Sequence, residues 1–86
     1  MIYFEDVFLN FYNAVKHDVR FWPQTEQNAV FNFFKIISQN LQLTEKQANF
    51  VIKLIEKHKD VSILNQYDPT DHLQVAVWKN EFRTID

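Results

Sequence analysis

The chain has 86 residues, no cysteine, no glycine and a formal net charge of −2. Its length admits one domain, and the missing thiols exclude a disulfide framework and a thiolate metal site. The acidic balance argues against non-specific DNA binding by the whole surface, and a chain without glycine cannot build the Gly-rich phosphate loops of the common nucleotide-binding motifs.

A domain this small buries only roughly 60–65% of the surface its unfolded chain exposes. Nine Phe, two Trp and three Tyr offset that with large apolar area per residue. No apolar run approaches a membrane span, and the opening MIYFEDVFLN lacks the basic start and small-residue cleavage site of a signal peptide. The absence of Cys fits a reducing compartment.

The first predicted helix runs from about Tyr3 to Val19. Phe4, Val7, Phe8, Phe11 and Val15 share one stripe, with Tyr12 and Val19 at its edge. Glu5 and Asp6 in the first turn suit the positive end of the helix dipole. Pro23 then disfavours helical geometry at Trp22. Phe21 and Trp22 are expected to pin this loop onto the helices. Thr25 is the expected N-cap of a second helix over Glu26 to Asn40, with Val30, Phe33, Phe34, Ile37 and Leu41 facing the core.

The third predicted helix opens with the capping box Thr44-Glu-Lys-Gln47 and runs to about Lys59. Its expected buried stripe is Ala48, Val51, Ile52 and Ile55. VSILNQ after Asp60 is compatible with an extension of this helix or with a separate turn. In YDPTDH, Asp68 suits an N-cap and Pro69 the first helical position, although a plain turn fits as well. The alternation of Leu73, Val75 and Val77 has the period of a strand. A short helical turn at Pro69 followed by extended chain is the favoured reading.

The predicted fold is therefore mainly α. It is a compact three-helix bundle over 1–66, with a short fourth helical turn and an extended C-terminal tail over 67–86. The expected packed core is Phe8, Phe11, Phe34, Ile37, Val51 and Ile55. FRTID carries no terminating signal, so the tail is expected to lead into a downstream domain.

Catalytic chemistry finds little support. Asp68, Asp71 and His72 are the only local candidates for metal ligands, and Asp-x-x-Asp-His around a proline is ordinary turn and capping chemistry. Ser38 and Ser62 sit in no nucleophile motif, and the three scattered His make no triad. The reading is of a non-enzyme without metal or cofactor.

Charge is distributed unevenly. Residues 43–59 carry four Lys against two Glu, the only basic segment in the chain. On that helix Lys46, Phe50, Lys53 and Lys57 fall within roughly 60° of one another, with Asn49 beside them. One reading is a solvated lysine face with Phe50 resting on the C-terminal tail. The other is a contact surface, with lysines for phosphates and an aromatic ring to stack on a base or dock in a partner groove.

FYNAVKHDVRFWP, LTEKQANFVIKLIEKHK and VWKNEFRTID together resemble the N-terminal accessory region of bacteriophage DEAD-like superfamily 2 helicases. The resemblance rests on Leu43 to Ala48 and on Trp78, Lys79, Phe82, Arg83, Ile85 and Asp86. Glu81 departs from that pattern, which has proline there. The resemblance implies a non-catalytic accessory domain in the cytoplasm of a phage-infected bacterial host. It would position a downstream ATP-driven motor on single-stranded nucleic acid or a replication protein. The ATPase motifs themselves do not occur in these residues. The alternative is a stand-alone small phage protein that binds and regulates host machinery.

Overall fold

The first helix, α1, spans Phe4–Val15 and buries Val7, Phe8, Phe11 and Val15 as its spacing predicts. It ends a turn earlier than Val19. The side-chain amide of Asn65 donates to the Ala14 carbonyl at 2.6 Å, satisfying an acceptor that the helix end leaves open. A single turn of 3-10 helix over Val19–Phe21 follows and keeps Val19 buried. The computed structural model describes residues 1–84; Ile85 and Asp86, the last two positions of the motif beginning at Trp78, lie outside the described residues.

Trp22 is extended (ψ 158°), as the following proline requires, and α2 runs over Gln24–Ser38. Thr25 is not its N-cap. Pro23 occupies that position, its carbonyl accepting from the Glu26 and Gln27 amides, and Thr25 lies inside the first turn. Trp22 packs inward while Phe21 is 73% exposed beneath the Arg20 guanidinium, so only one of the two aromatics anchors the loop. Val30, Phe33 and Ile37 are buried, and Phe34 is half-buried in a stack on Tyr12 at 4.3 Å. Leu41 is 53% exposed instead of buried. The helix has already ended, and Asn40 at φ 57° turns the chain so that Leu43 enters the core in its place.

Helix α3, Glu45–Lys57, begins with the full capping box. Thr44 Oγ1 accepts from the Gln47 amide at 3.1 Å, and Gln47 Oε1 accepts from the Thr44 amide at 3.0 Å. His58 breaks the helix, and a separate short helix α4 follows over Lys59–Leu64. A last helix, α5, covers Thr70–Val75, with Asp68 Oδ1 accepting from the Thr70 amide at 2.9 Å. That helix absorbs Leu73 and Val75, so their alternation does not build a strand.

The fold is mainly α, and α1 lies against each of the other helices. No helix among the described residues is long and apolar enough to cross a membrane. The extended tail folds back across the helices. Val77 bridges to Tyr3, Arg83 bridges to Thr44, and Trp78 packs on Phe4 with ring centroids 4.8 Å apart and planes tilted by 31°. Glu5 fixes this return. Its carboxylate, 8% exposed, accepts from the Lys79 amide at 2.9 and 3.1 Å and from the Asn80 amide at 3.1 Å.

Phe11 is fully buried. Phe11→Ala is expected to cost about 3–5 kcal/mol, and thermal melts should fall by roughly 4–8 °C per kcal/mol. Glu5→Gln should destabilise by about 1–3 kcal/mol, because part-buried amide donors lose a charged acceptor. Hydrogen exchange should accelerate at Lys79 and Asn80 above any global change; unchanged protection there would remove Glu5 as the clamp.

Candidate functional site

Helix α3 presents Lys46, Asn49, Phe50, Lys53 and Lys57 on its outer side, all of them at least partly exposed. The buried arc opposite runs through Leu54, Val51, Ile55 and Ala48. Ile52, expected in the core, is half-buried, and Leu54 takes its place. The helix is therefore rotated by roughly 40° from the expected orientation, toward Phe50. The rotation brings Phe50 to the α2–α3 seam, where its ring meets Phe33 at 5.8 Å. Phe50 remains 36% exposed. Its aromatic neighbour among the described residues is thus a helix residue of α2.

The five candidate residues are not equivalent. Lys57 is bonded across the seam to Glu26 of α2 and lies at the end of the face. Lys46 and Lys53 form no ion pair among the described residues, so their ammonium groups face water. The open part of the surface is Lys46, Asn49, Phe50 and Lys53, with one aromatic ring between two cations.

A cluster that spacing alone does not reveal lies at the Lys57 end. His58 Nε2 is 2.7 Å from Glu26 Oε1, and its ring stacks on Trp22 with centroids 3.7 Å apart and planes 10° from parallel. Gln27 ties the same loop down by donating to the Trp22 carbonyl at 2.7 Å. Burial pushes the Glu26 carboxyl up, but hydrogen bonds and charge from Lys57 and His58 outweigh it and hold the group below its usual value. Glu26 and His58 are far apart in sequence, and only the antiparallel pairing of α2 and α3 joins them. The cluster ties α2, α3 and the Trp22 loop together at this end of the seam.

Asp68, Asp71 and His72 do not converge as ligands. Pro69, and not Asp68, stands at the N-cap of α5. Asp68, one residue before it, accepts from the Thr70 amide through Oδ1, and its hydrogen bonds with Thr70 hold its carboxyl below the usual range. His72 Nδ1 lies 3.3 Å from the Tyr67 hydroxyl. Among the described residues no three His, Cys, Asp or Glu side chains are grouped to hold a metal ion. Ser62 is fully buried and donates to the Tyr67 carbonyl at 2.6 Å, and Ser38 donates to the Lys35 carbonyl.

Compared with protein-family models, curated proteins and solved structures, the chain gives no significant match.

The lowered Glu26 value carries a sign. Its folded pKa lies below the ordinary Glu value of about 4.3, so its contribution is present above that value and fades as pH falls through the folded one. Denaturation of wild type and Glu26→Gln from neutral to acid pH should show a stability gap that closes below about pH 4. A gap constant across that range would mean that Glu26 is not stabilised as the anion.

Proposed function

We propose that this chain is a non-catalytic helical binding module. Its working surface is the outer side of α3, engaging single-stranded nucleic acid as the accessory domain of a phage helicase. The observation that carries the reading is the placement of Phe50 between Lys46 and Lys53, which form no ion pair among the described residues, on the one basic segment of an acidic chain. A half-exposed ring gives a base a sequence-tolerant stacking platform, and flanking ammonium groups suit phosphates. The edge contact with Phe33 holds the ring in place, so little conformational freedom is lost on stacking. The helicase setting rests on the resemblance of Leu43–Ala48 and Trp78–Arg83 to the phage accessory region. A downstream motor would supply the ATP chemistry, and this module would position it.

Few phosphates are within reach, so binding is expected to be weak and salt-dependent. The slope of log affinity against log salt should be about −0.7 per phosphate contact. Phe50→Ala should remove about 1–3 kcal/mol of stacking with little change in slope, whereas Lys53→Ala should reduce the slope. Fluorescence anisotropy with labelled single-stranded DNA at low and moderate salt measures both. A folded domain that binds no DNA at low salt would refute the nucleic-acid reading and leave the α3 face as a docking surface for a protein partner.

A further inference from the structure

A cleft of about 460 Å³ opens where the tail returns past the end of α2, lined by Ile36, Asn40, Leu41, Gln42, Asn80 and Arg83. The fold holds it in shape. Asn40 sits in the left-handed region at φ 57° and accepts from the Asn80 side chain on its carbonyl (3.4 Å) and side-chain oxygen (3.2 Å). The Arg83 amide donates to the Leu43 carbonyl at 2.7 Å, which holds this exposed residue at the cleft. Among the described residues the lining combines three carboxamides, one guanidinium and two aliphatic side chains, with no carboxylate. Leu41 is half-exposed here, an apolar group the core does not use.

This chemistry fits one nucleotide. Carboxamides offer donors and acceptors to a base edge, aliphatic groups cover a base face, and a guanidinium pairs with phosphate or stacks on a base. The cleft also continues the α3 surface. Glu26 meets Lys57 at one end of the antiparallel α2–α3 pair, and Phe33 meets Phe50 in the middle. Ile36 lies one turn further along α2, and Arg83 bridges to Thr44 at the start of α3. Arg83 beside the start of α3, then Lys46, Phe50 and Lys53 on its outer side, thus follow one another along the helix. The α3 part of that path, from Thr44 to Lys53, is roughly 14 Å long.

We infer that the cleft is a base-binding subsite for the same single strand, with a base against Leu41 and the carboxamides of Asn40 and Gln42, and a phosphate on Arg83. The inference rests on the nucleic-acid reading of α3 and extends it to a second element, the returning tail. It makes the tail part of the binding surface.

Chemical-shift mapping of the whole chain with a short deoxythymidine oligonucleotide tests both levels at once. The expected result is perturbation of the Asn40 and Gln42 side-chain amides together with the Lys46–Lys53 backbone. An oligonucleotide of the same length with abasic sites should lose the Asn40 and Gln42 shifts. Arg83→Ala should weaken binding about fivefold or more at low salt and reduce the salt slope by about 0.7. Shifts confined to α3, with Arg83→Ala binding like wild type, would overturn the cleft and leave the α3 reading standing. Shifts confined to the cleft would support the subsite and overturn the α3 face. No shift anywhere refutes both, and binding of an acidic peptide in preference to the oligonucleotide overturns the nucleotide assignment of the cleft.

Discussion

Everything in this fold leans on α1. Each of the other helices packs against it, and the tail returns to its first turn. A helix in that position must be apolar over most of its circumference. Phe8 and Phe11 are fully buried, Tyr12 stacks on Phe34, and Phe4 packs against Trp78. Large rings explain how so few residues make a core. Each aromatic side chain removes far more apolar area from water than an aliphatic one, so one helix supplies surfaces for several neighbours.

The connections obey a second constraint, the absence of glycine. The chain uses Asn40 and Gln66 at positive φ, positions where a Cβ carries a cost of about 1–3 kcal/mol. Buried polar side chains help hold the irregular segments. Glu5 binds the tail amides, Thr44 starts α3, and Ser62 holds the turn after α4 through the Tyr67 carbonyl. All three bond to backbone, and no buried side-chain N or O among the described residues lacks a partner. In place of flexible turns, the fold has short-range polar ties that specify where each helix begins or where the chain comes back.

What was legible in the residues follows from the range of the forces involved. The capping box at Thr44 is local chemistry, complete within one turn, and α3 begins where it says. The apolar stripe of α1 was equally readable because one helix facing the whole core leaves little ambiguity about direction. Leu41 leaves the core stripe because α2 ends at Ser38 and the single left-handed residue Asn40 resets the phase. Ile52 and Leu54 exchanged roles because the spacing of apolar residues defines an arc only to within about 40°, and α2 decides the rest. The Trp22–His58–Glu26 cluster and the Asn80–Asn40 contact join residues far apart in sequence, for which no local pattern exists.

The same rotation of α3 bears on the candidate surface. Turning Leu54 inward draws Phe50 to the seam beside Phe33 and leaves Lys46 and Lys53 on either side of it with no counter-ion among the described residues. A net charge of −2 then has little say at that spot. Screening confines the field of each charge to about 8–10 Å at ordinary ionic strength, so a strand near the seam responds chiefly to the nearest ammonium groups. The acidic remainder still matters, because it repels polyanions from the other faces and so favours approach along the lysine side. On the proposed reading, the acidic composition that argues against whole-surface DNA binding is what would make a small basic seam selective in orientation, with modest affinity set by few contacts.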